Sequence, residues 1–283
     1  MEYSIATSSK RISDLIAIVM ETYDVLHRES DLTPANAKIT RMISNLSQVI
    51  RQPYTQEEIR MVTGHTELAA LKKGLLDKLS EAEFQMELFD SHYLCNQLYL
   101  GVESLFHYKN WRKYESLVGE EIKQLGKLSR PEDASAPIVF VGSGPLPLSA
   151  VLLHLRWNVR VCCLDIDPDA CEAVRVLMER LDLSDSVQIV QGDGAAFDYA
   201  SYRHVFIASL VSRKDDVLAQ IRRTNTDALV AIRTAEGMRQ LMYEAVNEEV
   251  MAAAGWQLLG LTSPTEQTVI NSTLFYRLDS RCN

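Results

Sequence analysis

The sequence predicts an α/β protein in which a doubly wound, mostly parallel sheet follows an all-α region. Three observations carry this. Up to about residue 130 the apolar residues repeat at helical spacing; from Pro137 short apolar runs alternate with helical patterns; and the first of those runs, Ile138-Val139-Phe140-Val141, ends in Gly142-Ser143-Gly144. A continuous apolar run that enters a glycine turn and then a helix is the pattern of a buried parallel strand with a ligand-binding turn at its carboxyl end. An N-terminal helical domain is therefore expected over 1–130 and a Rossmann-like domain over 131–283.

The 283 residues are enough to bury a sizeable core. With 47% hydrophobic and 24% charged residues the composition is that of a globular protein. No apolar run reaches the roughly 20 residues needed to span a membrane. Met1-Glu2-Tyr3-Ser4-Ile5-Ala6 carries neither a basic nor an apolar signal segment, so a cytoplasmic protein without a membrane partner is expected. The net charge of -9 argues against a nucleic-acid partner, which calls for a basic stripe, and suits a cationic or zwitterionic small ligand. Cys95, Cys162, Cys163, Cys171 and Cys282 include no C-x-x-C pair. Adjacent cysteines in an apolar run read as small core residues, and no protein-bound metal is expected. Homodimerisation is left open.

In the helical region, Lys10 to His27 carries Ile12, Leu15, Ile16, Val19 and Met20 on one face. Asp31-Leu32-Thr33-Pro34 breaks it, and Ala35 to Ile50 makes a second helix with Ile39, Met42, Ile43, Leu46 and Ile50 inward. Thr55 reads as the N-cap of a short helix to about Val62, with Glu58 as its capping-box partner. A long helix from about Thr66 carries Leu68, Leu71, Leu75, Leu79, Ala82, Met86, Phe89 and Tyr93 as one apolar stripe. Glu83 and Glu87 lie at the edge of that seam, where a carboxylate can line a cleft, while Glu81 groups with Asp77 and Gln85 on a more solvated side. Leu105 to Trp111 is dense in aromatic and polar tips, the kind of stretch that faces a half-wet site. A helix from about Lys113 to Gly126 and a linker over 128–137 complete the region.

Strands are then expected at Ile138–Val141, Val159–Leu164, Val187–Val190, Val205–Leu210 and Ala228–Ile232, with two more at Trp256–Leu261 and Ile270–Leu278. Helices are expected at about Leu146–Arg156, at Pro168–Leu181 with Asp167 as N-cap, near Lys214–Arg223, and from about Glu236 to Ala253. Such alternation places a ligand at the carboxyl ends of the strands. Gly142, Ser143, Gly144 and Pro145 end the first strand, Asp165 and Ile166 the second, Asp193 and Gly194 the third. An acid after the second strand is placed for ribose hydroxyls and one after the third for an adenine amino group. Pro147 occupies the place of the third fingerprint glycine, which suits a pyrophosphate poorly. The set points to S-adenosylmethionine over NAD.

Phe140-Val141-Gly142-Ser143-Gly144-Pro145-Leu146-Pro147-Leu148-Ser149 resembles the signature of nicotianamine synthases. Val230 to Gly237, Leu241-Met242-Tyr243 and Val269-Ile270-Asn271-Ser272 resemble their later blocks, and Leu164-Asp165-Ile166-Asp167-Pro168 is similar to the bacterial histidine aminobutanoyltransferases of opine-metallophore biosynthesis. The resemblance implies that S-adenosylmethionine donates its 3-amino-3-carboxypropyl group to an amine, with methylthioadenosine leaving. It implies histidine as the acceptor, with a growing aminobutanoyl chain, as in nicotianamine synthase, as the alternative. By motif Glu83 becomes the proton acceptor for the amine and Tyr108 its orienting partner. His107-Tyr108 and Trp111 depart from the plant pattern of tyrosines, so His107 and Tyr108 are both candidates for the tyrosine role. Arg233, whose fork matches a carboxylate, is expected at the substrate together with Glu87. An ordinary methyltransferase, which would release S-adenosylhomocysteine, and a non-catalytic nucleoside-binding module are the competing classes.

Overall fold

The computed structural model describes residues 2–262 and 269–279; Cys282 lies outside them. Helices α1 (Glu2–Arg28), α2 (Ala37–Ile50), α3 (Gln56–Thr63) and α4 (Thr66–Cys95) follow the predicted periodicities. Leu15, Val19 and Leu26 of α1, Ile39 and Leu46 of α2, and Val62 of α3 are buried. Asn36 caps α2 through Lys38 N. At α3 the expected capping box is formed: Glu58 N donates to Thr55 Oγ1 at 3.2 Å and Thr55 N to Glu58 Oε2 at 2.8 Å, satisfying two amides that the first helical turn leaves open.

The apolar stripe of α4 departs from expectation at its end. Leu75, Leu79 and Ala82 are buried, but Phe89 and Tyr93 are 41% and 62% exposed. From Ala82 the seam steps by four residues through Met86 to Asp90 and Leu94, and those last two are buried. A polar residue therefore occupies the seam position that Phe89 was expected to hold. The segment after α4 has only one helical turn, α5 (Val102–Leu105), before α6 (Trp111–Leu128).

The remaining elements are β1 (Ile138–Val141), α7 (Leu148–Trp157), β2 (Val161–Asp165), α8 (Pro168–Arg180), β3 (Val187–Gln191), β4 (His204–Ile207), α9 (Lys214–Thr224), β5 (Leu229–Thr234), α10 (Glu248–Ala253), β6 (Trp256–Leu261) and β7 (Ser272–Leu278). The strands form one sheet in the order β3-β2-β1-β4-β5-β7-β6, with β1 to β5 parallel and β7 antiparallel to both neighbours. Order reverses beside β1, and that switch point puts the loops after β1 and β4 side by side. Successive residues serve opposite faces. Phe140, Cys163, Phe206, Ala231 and Phe275 pack with α6, α7 and α8, while Val139, Val205, Ile207, Val230 and Tyr276 pack with α9 and α10. Cys162 and Cys163 are core residues, and burial pushes both thiols up from their ordinary value.

One expected helix is broken. Instead of a helix from Glu236 to Ala253, a 3-10 turn covers Gly237–Leu241 and α10 starts only at Glu248. Gly237 has a φ of 57°, Thr234 Oγ1 takes Val246 N at 2.9 Å, and Asn247 caps α10 through the amides of Glu249 and Val250. Each contact draws the backbone away from a helical ladder.

Packing divides the chain differently from periodicity. One compact unit comprises 1–89 with 235–245, the other 90–234 with 246–283. The helical unit thus includes a segment that lies about 150 residues further on in sequence, whereas α5 and α6 pack with the sheet.

Candidate active site

In the sheet unit the carboxyl ends of β1, β2 and β3 are tied together by backbone. Gly142 N donates to Leu164 O at 2.8 Å and Gly192 N to Asp165 O at 2.8 Å. Gly142 and Gly144 have φ of 73° and 65°, a region that L side chains rarely enter. At Gly142 a Cβ would also lie 2.5 Å from Val211 Cγ2. The turn therefore needs glycine for conformation and for contact with the β4 loop.

Asp165 holds this turn. Its Oδ2 accepts Gly144 N at 2.8 Å and its Oδ1 accepts Asp167 N at 3.1 Å. Burial raises its carboxyl above the ordinary range, and these backbone N–H groups act in the opposite sense. A carboxylate has about four acceptor sites, so Asp165 can take a ligand hydroxyl besides these amides. Beside it Ile166 is 62% exposed, an apolar surface suited to the face of a purine.

Asp193 accepts Ala195 N at 2.9 Å and is paired with Arg213; the Ala195 amide first and Arg213 second lower its carboxyl below the usual range. Gly194 is buried, its carbonyl accepts the Tyr199 hydroxyl at 2.8 Å, and a Cβ on it would lie 2.8 Å from Val141 Cγ1. Ser143 is buried beside the Cys163 thiol, and Pro145 is buried as well.

Arg233 does not present its fork outward. It is 6% exposed and lies on the face of β5 that packs against α6 and α7, with its Cζ 5.1 Å from the Phe140 ring centroid. Its Nε donates to Glu121 Oε1 at 2.9 Å, and its Nη2 donates to Glu121 Oε2 at 3.0 Å and to Ser149 Oγ at 2.8 Å. Thr273, its register partner on β7, donates to Glu121 Oε1 at 2.6 Å. In so apolar a layer a guanidinium requires a carboxylate counter-charge, and Glu121 supplies it. The expected substrate-carboxylate role thus gives way to an internal pair that ties α6, α7, β5 and β7.

Tyr108 donates its hydroxyl to Asp90 Oδ2 at 2.6 Å, and Lys109 Nζ reaches Asp90 Oδ1 at 3.0 Å. The Tyr108 hydrogen is directed to Asp90, and Asn110 Nδ2 donates to the Tyr108 oxygen at 3.4 Å. His107 is exposed, one residue earlier on the same turn.

In the helical unit, Glu83 and Glu87 are half-buried on α4 while Glu81 is exposed and bridged to Lys78. Tyr243 donates its hydroxyl to Glu83 Oε2 at 2.9 Å. Sequence reasoning missed Tyr243, Asp90 and Glu121 as polar partners. A signal existed for two of them: Tyr243 stands in the block Leu241-Met242-Tyr243, and Asp90 falls on the four-residue step of the α4 seam. Among the described residues no group of three or more His, Cys, Asp or Glu side chains is placed to hold a metal ion, and no helix is long and apolar enough to cross a membrane.

A family model described as nicotianamine synthase protein matches residues 8–283. The L-histidine 2-aminobutanoyltransferase of Pseudomonas aeruginosa strain UCBPP-PA14 is 36% identical over 142 residues, which is 49% of this chain and 53% of that protein. The match thus spans about half the length of that curated relative. Probable nicotianamine synthase 3 of Hordeum vulgare is 29% identical over 226 residues, 74% of this chain and 64% of that protein. A crystal structure of MtNAS in complex with MTA and tNA superposes with a TM-score of 0.80 at 21% identity, covering 94% of this chain and 97% of that one. A variant of MtNAS in complex with S-adenosylmethionine gives 0.78 at 20% identity, covering 93% of this chain and 98% of that one. These likenesses carry the fold, and the family model, matching nearly the full length, carries the kinship: the chain belongs to the nicotianamine synthase family.

Proposed function

We propose that this protein transfers the 3-amino-3-carboxypropyl group of S-adenosylmethionine to the amine of histidine, releasing methylthioadenosine, in the making of an opine-type metallophore. The observation that carries the reading is Glu83, a half-buried carboxylate held by the Tyr243 hydroxyl at 2.9 Å. The attacking amine must be uncharged, so its ammonium proton has to pass to a fixed base. The nitrogen lone pair then attacks the methylene carbon next to the sulfonium, the C–S bond breaks, and its electron pair returns to sulfur to give a neutral thioether. One proton leaves the amine for each bond formed.

On the donor side Asp165 takes the ribose hydroxyls, Ile166 an adenine face and Asp193 the adenine amino group. Gly142, Ser143, Gly144, Pro145 and Gly194 form the turns that let the ligand approach backbone. Tyr108, oriented by Asp90, accepts a hydrogen bond from the amine, with His107 beside it; Glu87, one turn from Glu83, serves the same substrate. Holding the amine in line with the methylene selects that carbon over the less hindered methyl, and such positioning supplies several kcal/mol. Histidine as acceptor is favoured by the relative named L-histidine 2-aminobutanoyltransferase.

Incubation of the purified protein with S-adenosylmethionine, with and without L- or D-histidine, followed by mass spectrometry, tests the reading. The expected result is methylthioadenosine and histidine bearing one aminobutanoyl group. Product formed without histidine would favour nicotianamine-type iteration, and S-adenosylhomocysteine would establish methyl transfer instead.

A further inference from the structure

With Arg233 closed on Glu121, the carboxylate of the acceptor needs another cation, and the helical unit contains two half-buried arginines suited to it. Arg239 lies in the 3-10 turn 237–241, which packs on α2 and α3. The side chain is half-buried, and its Nε is fully buried without a hydrogen-bond partner among the described residues. A guanidinium N–H withdrawn from water and left unmatched is costly in a folded chain, and it is matched when an oxygen ligand arrives. Arg51, at the carboxyl end of α2, is also half-buried and is held in place by Ser47, its Nε on Ser47 O and its Nη2 on Ser47 Oγ, each at 2.7 Å. Burial, and after it the charge of Arg239, pulls Arg51 below its ordinary value, while Tyr243 acts in the opposite sense. Tyr243 joins this pair to the base: its N donates to Arg239 O at 3.2 Å and its hydroxyl to Glu83 at 2.9 Å.

We infer that Arg239, assisted by Arg51, forms a carboxylate-binding subsite for the α-carboxylate of the acceptor amino acid whose amine is presented to Glu83. An α-amino acid bears its amine and carboxylate on one carbon, so a base for the first requires a cation close by for the second. The planar fork of arginine matches a carboxylate in shape. The inference rests on the reading of Glu83 as the base for the acceptor amine.

The test is equilibrium binding of L-histidine and L-histidinamide to the full-length protein by calorimetry, in the wild type, Arg239→Gln and Arg239→Lys. Affinity for S-adenosylmethionine serves as the folding control. Wild type is expected to bind the acid at least about tenfold more tightly than the amide, a preference lost in Arg239→Gln and partly restored in Arg239→Lys. S-adenosylmethionine affinity should be unchanged in all three. Equal binding of acid and amide by wild type, absence of histidine binding, or full retention of the preference in Arg239→Gln would each overturn the subsite. Intact discrimination without transfer to histidine would overturn the proposed reaction and leave the carboxylate subsite standing.

Discussion

The Gly144 amide donates to the Asp165 carboxylate across 21 residues of chain, whereas Tyr243 and Glu83 meet through two side chains 160 residues apart. The sheet unit builds its polar site from amides, positive-φ glycines and acids at strand ends, all set by a βαβ register. The helical unit builds its own from side chains on a helix and on a returning segment. Backbone-built sites are insensitive to the details of neighbouring side chains and recur wherever a strand enters a glycine turn. Side-chain-built sites depend on single residues, so on the proposed reading acceptor identity can change in the helical unit while the turn of the sheet unit stays the same.

This contrast can be broken most directly at Glu83. Glu83→Gln is expected to lower the rate of transfer by about 10²- to 10⁴-fold, the range of a general base, with S-adenosylmethionine affinity intact. Rates by mass spectrometry and binding by calorimetry check the two halves, and near-normal turnover would remove Glu83 from the mechanism.

The next effect belongs to the sheet unit's interior. Arg233→Met leaves Glu121 as an unmatched buried carboxylate and should cost about 3–5 kcal/mol of stability, read by denaturant unfolding. Joint replacement of Arg233 and Glu121 by Met and Leu should be milder than Arg233→Met alone. If Arg233 acted only at a substrate, the single variant would keep its stability and lose activity.

A third test uses pH. His204 is wholly buried at the start of β4, with its Nε2 2.9 Å from Ser129 Oγ, and burial lowers its imidazole from 6.5 to about 4. The fold therefore holds it neutral, and its contribution to stability is present above about pH 6.5 and is lost as pH falls toward 4. The loss over that window is about 2–4 kcal/mol. His204→Asn should flatten this part of the stability profile, and an unchanged slope would show that the proton is taken up elsewhere.

The smallest expected effect is at the glycine turn. Asp165→Asn keeps its size but weakens two backbone contacts and the ribose hydrogen bonds, and S-adenosylmethionine affinity should fall about 10- to 100-fold. Equal losses of donor and acceptor affinity would erase the distinction between the two sites.

Much of this architecture is legible from local pattern. The strand at Ile138–Val141, the glycine turn, the Asp167 cap with Pro168 behind it, and the Thr55–Glu58 box each depend on residues within a few positions of one another, where sterics and backbone hydrogen bonding act. Glu83 could be preferred over Glu81 because helical phase alone sets which faces the seam. The helix expected from about Glu236 to Ala253 does not form as one: its apolar spacing is helical, while Gly237, Thr234 and Asn247 redirect the backbone.

Arg233 shows where local pattern ends. Its type and its place at a strand terminus fit a carboxylate ligand equally well inside or outside the protein, and the choice falls to Glu121, Ser149 and Thr273, which are remote in sequence. The same holds for Asp90 under Tyr108 and for Tyr243 on Glu83. Local sterics and hydrophobic periodicity are short-range and written in neighbouring residues, so the glycine turn, the parallel strands and the amphipathic helices could be read directly. Partners of buried charges are chosen by whichever side chains the folded chain brings within about 3 Å, and that depends on the tertiary packing of segments that no local pattern connects.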